Sequence, residues 1–319
     1  MGETIRVGVS ACLLGEPVRY DGGHKRDAYV VETLGKFFEF VPVCPEAECG
    51  LGVPREPMRL VGDPAAPRLV TTKTGQDLTD RMRAWAARRV RELAAEDLRG
   101  FIFKAKSPSS GMTRVKVYNE KGSPAERGVG LFARAFMDAF PLLPVEDEGR
   151  LHDARLRENF IERIFTLNRW RAALAGDGRT SLLARLVAFT ASHKLLLMSH
   201  SPDLARQLGR LAAEAKNWPA DGLQRSYETV LMRALALPAT PAKHANVLEH
   251  VAGYFKKHID AEDKAELRDI IHAYRTGLTP LVVPATLCAH YARKFRVDYL
   301  LSQYYLHPHP VELKLRNHV

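Results

Sequence analysis

Cysteine is scarce in this chain of 319 residues, yet three of its four cysteines lie near the N-terminus: Cys12, Cys44 and Cys49. Disulfides are not the default inside cells, so clustered cysteines indicate metal or redox chemistry. Three thiolates do not complete a four-cysteine zinc or iron–sulfur site, and they leave one metal position open, as a catalytic site requires. The distant Cys288 is typical of a small buried hydrophobic residue.

Three segments carry the other side chains that could do chemistry. The first has the sequence S-A-C-L-L-G over residues 10–15 and continues to Asp21 and Lys25. The second is C-P-E-A-E-C-G over residues 44–50, and the third is K-A-K-S-P-S-S-G over residues 104–111. A carboxylate next to a metal ligand can move protons, and hydroxyl and ammonium groups can hold a polar or anionic substrate.

Each of these segments follows a predicted β-strand. Buried strands are predicted over residues 4–11, 38–43, 100–105 and 142–145. Helical periodicity over residues 76–95 and 126–139 separates them, which predicts an α/β N-terminal domain with a mostly parallel sheet. Because ligands bind at the carboxyl edge of such sheets, we expect the three segments to meet at one site.

From about residue 150 the sequence changes to a succession of helical patterns punctuated by proline and glycine. The predicted helices span residues 153–174, 181–198, 202–216, 222–237, 242–258 and 261–275. No segment of this half has a strand pattern, so we expect an all-α C-terminal domain. The two predicted domains cover residues 1–148 and 149–319.

The formal net charge of +10 arises mostly in the helical half. Residues 151–319 contain 24 Lys and Arg against 16 Asp and Glu, a net charge of +8, which leaves +2 for residues 1–150. This asymmetry indicates attraction of a polyanion, although charge scattered for solubility explains it equally well. The candidates for RNA contact in this half are Arg163, Arg169, Arg171, Lys194, Lys256, Lys257, Arg293, Lys294, Arg296, Trp170, Tyr254 and Tyr291.

The composition excludes several classes of protein. A hydrophobic content of 46% and a charged content of 26% are those of a folded chain, not of a disordered one. No uninterrupted apolar run of about 18 residues predicts a membrane-spanning helix. The N-terminus lacks the pattern of a secretory signal. We therefore expect a soluble, cytoplasmic protein that has no membrane partner.

The motifs S-A-C-L-L-G, C-P-E and K-x-K-S-P-S-x-G, in this order, resemble the thiouracil desulfidase (TudS-like) family. Residues 150–319 look like the YbgA-like helical domain often fused to it, and the whole chain is similar to the RudS-type tRNA thiouridine desulfidases. The resemblance implies a [4Fe–4S] cluster with three cysteine ligands and one open iron. It also implies a thiolated pyrimidine as substrate and tRNA as partner.

The same resemblance assigns roles to individual residues. Cys12 and Cys44 match two of the family's cluster ligands, but Ser110 occupies the position of the third, and we expect Cys49 to replace it. Glu46 matches the catalytic carboxylate and Ser107 matches its polar partner. The residues expected to bind the substrate are Ser10, Asp21, Lys25, Lys104, Lys106, Ser109 and Ser110.

The function expected from the resemblance is the non-redox replacement of sulfur by oxygen in thiolated uracil, with 4-thiouridine in tRNA as the first-choice substrate. Free thiouracil is the alternative substrate. A non-catalytic iron–sulfur protein that binds RNA or senses oxidation is an alternative of a different class, and a zinc hydrolase using the same three cysteines is another. The vacant metal position next to Glu46 favours an enzyme over a sensor.

Overall fold

The computed structural model describes residues 4–119, 122–176 and 179–318 and divides the chain into two units, residues 1–156 and 157–319. The first unit alternates strands and helices and the second is helical, which confirms the predicted fold class. The predicted domain boundary after residue 148 lies eight residues earlier than this division and stays a prediction.

Among its described residues, the first unit contains eight strands, two α-helices that lie wholly within it, and several short 3-10 and π-helical turns. The strands are β1 Ile5–Ser10, β2 Phe38–Val43, β3 Met58–Val61, β4 Arg68–Thr71, β5 Gly100–Phe103, β6 Val115–Tyr118, β7 Pro124–Gly128 and β8 Val145–Asp147. The helices are α1 Thr79–Ala94 and α2 Leu131–Ala139.

The main sheet has the strand order β2-β1-β5-β8, and all its strands run parallel. Val7 of β1 lies opposite both Phe40 of β2 and Gly100 of β5, and these pairs define the register of the three strands β2, β1 and β5. β1 and β5 are buried along most of their length, as central parallel strands are. The loops that follow β1, β2 and β5 therefore leave the sheet at the same edge.

A second sheet, with the order β4-β3-β6-β7, was not expected from the sequence. β3 pairs parallel with β6, and the two outer pairs are antiparallel. The helix predicted over residues 126–139 is wrong in its first part, because Pro124–Gly128 pairs with β6 and α2 begins only at Leu131. Gly130, which precedes the helix, has extended backbone (φ −61°, ψ 147°), so the helical pattern could not continue through it.

An aromatic cluster ties the main sheet to α2. The ring centroids of Phe101 and Phe103 in β5 are 4.3 Å apart, and that of Phe101 is 4.7 Å from Phe136 in α2. Trp85 of α1 lies 5.3 Å from Phe132 of α2. Because these rings are buried, the cluster fixes the positions of β5 and α2, which flank the loop over residues 104–111.

The helical part comprises α3 Ala154–Ala175, α4 Leu182–His200, α5 Pro202–Ala213, α6 Ala220–Ala236, α7 Pro241–Gly253, α8 Ala261–Arg275, α9 Val282–Lys294 and α10 Asp298–Leu301. Helices α9 and α10 were not predicted. Pro284 stands in the first turn of α9, where proline is tolerated, although it looked like a helix breaker in the sequence. As expected, the described part of the second unit contains no strand.

Helix α4 is long and apolar enough to cross a membrane by length and composition, with a mean hydropathy of 1.3. It packs against α5, α6 and α7, however, and its buried side chains include hydrogen-bonded polar groups. The His200 Nδ1 atom lies 2.7 Å from the Leu237 carbonyl oxygen, and the Ser199 hydroxyl donates to Leu196. These contacts are those of a core helix of the second unit.

Two of the three aromatic residues proposed for RNA stacking belong to this core. Trp170 is buried, and its Nε1–H donates to the Glu228 carboxylate at 2.8 Å. Tyr291 is also buried, whereas Tyr254 is exposed. Trp170 and Tyr291 are therefore unsuited to base stacking, because their periodic spacing reflects helix packing.

Candidate functional site

The three segments singled out in the sequence meet in a cavity of about 340 Å³ at the carboxyl edge of the main sheet. Cys12 follows β1, Cys44 follows β2, and the serine loop, residues 107–111, follows β5. This confirms the expectation that they form one site. The predicted site residues that line the cavity are Ser10, Cys12, Lys25, Cys44, Glu46, Lys104, Lys106, Ser107, Ser109 and Ser110.

Two thiols face this cavity. Cys12 is buried, and this burial raises the pKa of its thiol to about 11, against a smaller opposing effect of Lys104. Burial also raises the pKa of Cys44, whose Sγ donates to the Val18 carbonyl at 3.8 Å. The two side chains are close enough for the charge of Cys44 to raise the pKa of Cys12 further. A metal would have to displace the protons of both thiols.

Glu46 is held by two neighbours in the same cavity. Its Oε2 accepts from the Arg55 guanidinium at 2.6 Å and 3.0 Å, and its Oε1 accepts from the Ser109 hydroxyl at 2.8 Å. The side chains of Arg55 and Glu46 are only 5% and 15% exposed. The Ser109 hydroxyl oxygen lies 3.0 Å from that of Ser107, so a carboxylate and two hydroxyls form one hydrogen-bonded chain.

Arg55 lines the cavity and makes more contacts there than its position in the sequence predicts. In the sequence, Arg55 is one of four basic residues, with Arg59, Lys104 and Lys106, that flank the predicted pocket and could engage the phosphates of a nucleic-acid substrate. Besides Glu46 it contacts the carbonyl oxygens of Val18 and Gly52, both at 2.8 Å, so it joins the first and second segments. No sequence pattern predicts the ion pair between Arg55 and Glu46, because only the fold brings these two side chains together.

The serine loop is anchored on the first turn of α2. The backbone N–H groups of Leu131 and Phe132 donate to the carbonyl oxygens of Pro108 and Ser109 at 3.2 Å and 3.0 Å. Within the loop, the Ser107 hydroxyl accepts from the N–H of Ser110 at 3.1 Å. Ser107 therefore closes the turn, and its predicted catalytic role stays a prediction.

The remaining lining residues divide into positioning and charged groups. The Ser10 hydroxyl accepts from the N–H of Lys104 at 2.8 Å and so joins the ends of β1 and β5. The Lys104 ammonium pairs with the Glu148 carboxylate. Lys25 and Lys106 are exposed where they line the cavity, which gives its mouth positive charge.

Two predicted site residues do not line the cavity. Asp21 closes an exposed turn, where its carboxylate accepts from the Gly23 N–H at 3.0 Å. The Cys49 Sγ donates to the Glu46 carbonyl at 3.4 Å, and its side chain packs against the apolar core beside the main sheet. The carbonyl of Cys49 accepts from Arg81 of α1 at 2.8 Å, which helps to fix this turn.

The donor set of the cavity therefore differs from the one that three cysteines would supply. Cys12 and Cys44 provide two thiols, and the buried Ser110 hydroxyl lines the cavity with them. Over residues 4–119, 122–176 and 179–318, no three His, Cys, Asp or Glu side chains form a metal-binding group. As they stand, these residues do not fit a three-cysteine cluster, and Cys49 as its third ligand stays a prediction.

The sequence matches two family models. Residues 7–148 match the model described as 2-thiouracil desulfurase, and residues 194–310 match one described as a protein of unknown function, DUF1722. YbgA of Escherichia coli (strain K12) is 32% identical over 164 residues, which are 51% of this chain and 95% of that protein. YbbK of Bacillus subtilis (strain 168) is 30% identical over 108 residues, 32% of this chain and 71% of that protein.

A solved structure is also similar to this chain. It is described as the [4Fe-4S]-dependent thiouracil desulfidase TudS, with 30% sequence identity and a TM-score of 0.40. The match covers 49% of this chain and 98% of the other.

Proposed function

Because the chain belongs to the 2-thiouracil desulfurase family, with a YbgA-like helical domain following the desulfurase domain, we propose that it desulfurates thiolated uracil within tRNA. Uridine is the product from 4-thiouridine. Free thiouracil is the simpler substrate of the same site, and the family match supports thiouracil desulfuration itself.

One observation carries this proposal: the Glu46 carboxylate lines the same cavity as the thiols of Cys12 and Cys44. Its two oxygens are occupied by different partners, Arg55 on one side and Ser109 on the other. A carboxylate fixed in this way is suited to general acid–base catalysis at a bound ring. Removal of sulfur from a thiocarbonyl requires this kind of proton transfer.

The proposed reaction is a hydrolysis in which atoms and electrons balance. A water oxygen forms a bond to the thiocarbonyl carbon, the carbon–sulfur bond breaks, and sulfur leaves as sulfide. Glu46 takes the first proton from the attacking water and returns it to the departing sulfur, which leaves as hydrosulfide, and the remaining hydroxyl proton passes to solvent as the new carbonyl forms. The Ser109 hydroxyl holds the carboxylate, the Ser107 hydroxyl extends this chain, and their oxygens can accept from a ring N–H. No oxidant or reductant is consumed.

The choice of tRNA as the substrate rests on the charge of the second unit. The half of the chain after residue 150 carries a net charge of +8, whereas the half that contains the cavity carries +2. A basic domain next to a catalytic one raises the local concentration of a polyanionic substrate. Lys25 and Lys106 at the cavity would attract the phosphates that flank a base extracted from its stack.

The iron–sulfur cofactor is part of the proposal, although the cavity presents two thiols instead of three. Cys12 and Cys44 are soft donors of the kind that iron–sulfur clusters use. No step of the reaction is assigned to the cluster here, because the residues that line the cavity do not complete its ligand set. Iron and sulfide content after anaerobic reconstitution tests its presence independently of activity.

The test of the proposed function is mass spectrometry of the nucleosides from thiolated tRNA after incubation with the anaerobically reconstituted full chain. We expect 4-thiouridine to decrease and uridine to increase, while free 2-thiouracil is converted to uracil in a parallel reaction. Conversion of free thiouracil alone would reject tRNA as the substrate. Conversion of neither would reject desulfuration.

Glu46→Gln is expected to lower the desulfuration rate by roughly a hundredfold or more, because the amide cannot accept the proton from water. The amide oxygen can still accept from Arg55 while the amide NH2 donates to the Ser109 hydroxyl, so some stability is lost but the fold and the iron content are expected to remain. Glu39→Gln is the matched control, since Glu39 is exposed in β2 and pairs with Arg6 outside the cavity. Equal rates for the two variants would contradict the role of Glu46.

A further inference from the structure

The second unit contains a groove of about 770 Å³ between α3, α4 and residues 301–307. Small side chains form much of its wall, and none of the described residues that line it is an aspartate or a glutamate. Its positive charge comes from two lining residues, Arg169 and Arg185, since burial lowers the pKa of the lining histidines His193 and His307. A groove with this lining favours an anionic ligand.

Arg169 of α3 is the central cation of the groove. Its guanidinium donates to the His193 Nε2 atom at 3.0 Å, to the Pro308 carbonyl at 2.8 Å and to the Thr166 hydroxyl at 3.0 Å. It also lies over the ring of Tyr304, with 4.1 Å between the guanidinium carbon and the ring centroid. Burial lowers the pKa of His193 to about 3, so this imidazole is neutral beside Arg169, and none of the other partners is a carboxylate.

No carboxylate in the described part of the chain forms an ion pair with Arg169. Glu162, which lies on the same helix, already pairs with His200 at 2.5 Å and with Arg316 at 3.3 Å. Burial lowers the pKa of Arg169 to about 10, so its guanidinium is still protonated at neutral pH. The charge of Glu162 offsets only part of the cost of burying Arg169, because the two groups form no ion pair, and an anionic ligand in the groove would remove more of this cost.

Arg169 also has donors to spare. Each of its Nη atoms carries two protons, and the contacts with Pro308 and Thr166 use one on each. Tyr304 also lines the groove, and its ring stacks on that of His193 with 4.4 Å between the centroids. Four alanines, at positions 172, 173, 188 and 191, leave room beside these groups, and the volume is within the range of small-ligand sites.

We propose that this groove binds a phosphodiester of the RNA substrate, with Arg169 as the cation that faces the phosphate and Tyr304 next to the attached nucleoside. The inference deepens the proposed function and rests on its RNA substrate. Arginine and aromatic side chains are the groups with which proteins hold RNA phosphates and unstacked bases. Arg185 adds positive charge while its donors bind the carbonyl oxygens of Ala173 and Leu174 at the end of α3.

The test is the affinity of the full chain for an unthiolated tRNA transcript, measured by fluorescence anisotropy over a range of salt concentrations. Arg169→Gln is expected to weaken binding about tenfold or more and to lower the slope of log affinity against log salt by about one. Ser302→Glu places a negative charge at the exposed rim of the groove and should weaken binding to a similar degree. Circular dichroism checks that both variants are folded.

Arg275→Gln is the matched control, because Arg275 is exposed at the end of α8 and does not line the groove. It removes one charge from the same unit and is expected to change the affinity less than twofold. If Ser302→Glu binds the transcript as tightly as the unchanged protein, or if Arg275→Gln weakens binding as much as Arg169→Gln, the groove is not the RNA site.

A competition experiment with uridine monophosphate shows whether the groove prefers a phosphodiester of RNA or the phosphate of a free nucleotide. We expect this nucleotide to displace the transcript only at concentrations far above those of the transcript itself. Tight nucleotide binding that Ser302→Glu abolishes, with unchanged transcript binding, would assign the groove to a free nucleotide and overturn the proposal. Because the transcript has no thiolated base, loss of binding in the variants supports the groove even if desulfuration fails.

Discussion

At the scale of single residues, Glu46 and Arg55 are the pair that gives the cavity its polarity. Both side chains are largely buried, and an Nη atom of Arg55 lies 2.6 Å from Oε2 of Glu46. Removing one partner of such a buried pair typically costs about 3–5 kcal/mol, because the other charge remains desolvated. The Ser109 hydroxyl, at 2.8 Å, occupies the second carboxylate oxygen, so Glu46 has one orientation in the cavity. This fixed position is what general acid–base catalysis requires.

Ser110→Cys is expected to increase the iron retained per chain after anaerobic reconstitution and gel filtration. The substitution places a third thiol in the cavity that Cys12 and Cys44 already line, and iron prefers thiolate to hydroxyl ligands. Ser123→Cys is the control, because it adds an exposed cysteine in the same unit away from the cavity. Iron and sulfide analysis measures the effect.

The opposite pattern would establish the sequence-based assignment of the third ligand. If Ser110→Cys leaves the iron content unchanged and Cys49→Ser abolishes it, Cys49 is the ligand. The turn Ala47–Leu51, whose Cys49 thiol donates to Glu46, would then have to open when the cluster binds.

At the scale of elements, the strand ends were predictable and the contacts between distant segments were not. The apolar runs before Cys12, Cys44 and Ser107 identified β1, β2 and β5, and the rule for parallel sheets placed their loops together. The short strands β3, β4, β6 and β7 have no comparable run, since pairing with neighbours decides them. The sequence also does not predict the contacts of Arg81 and Arg89 of α1 with the turn that follows Cys44, because only the fold brings these segments together.

Gly111→Ala is expected to lower the free energy of unfolding by about 1–3 kcal/mol and to reduce turnover. A Cβ at this position would lie 2.6 Å from the Ser107 carbonyl oxygen, so the serine loop, whose Ser109 hydroxyl donates to Glu46, would have to shift. The matched control is Gly209→Ala in α5, where a Cβ meets nothing within 4 Å. There the same substitution should stabilise the helix by about 0.5–1 kcal/mol.

Urea unfolding and steady-state turnover of the two glycine variants provide the measurement. Loss of turnover in Gly111→Ala with unchanged stability would still place the loop in the site. Normal turnover and stability in this variant would show that the close packing of the serine loop has no functional consequence.

At the scale of the whole molecule, the second unit is distinguished by charged side chains that are buried in one network. The second unit buries a network in which Arg316 contacts Glu158 at 3.2 Å and Glu162 at 3.3 Å, while His200 contacts Glu162 at 2.5 Å. The sequence locates the surplus of positive charge in this half, and the His-Pro-His-Pro run over residues 307–310 with its basic tail predicts an exposed extension. Arg316 is buried instead, because the network with α3 holds it.

The stability of the second unit is expected to fall as the pH is lowered from 7 to 5. Burial lowers the pKa of His193 and His244 to about 3 and that of His309 to about 4. In the unfolded chain these side chains titrate near their ordinary pKa of about 6.5, so only the unfolded state takes up their protons in this range. Each histidine can therefore cost up to about 1.4 kcal/mol per pH unit below 6.5.

Urea unfolding followed by far-ultraviolet circular dichroism, which reports mainly the helices, measures this dependence. The unfolding free energy should decline steadily below pH 6.5 and be constant between pH 7 and 8 as far as these histidines are concerned. A free energy that stays the same from pH 7 to 5 would mean that the three imidazoles become protonated without unfolding.

The central claim is that water replaces sulfur on the pyrimidine ring, and its most direct test is the origin of the new oxygen. The anaerobically reconstituted protein is incubated with 2-thiouracil in water labelled with heavy oxygen, and the product is examined by mass spectrometry. We predict uracil that carries one heavy oxygen atom, together with an equal amount of sulfide. Uracil without the label, or no uracil at all, would contradict hydrolytic desulfuration at this cavity.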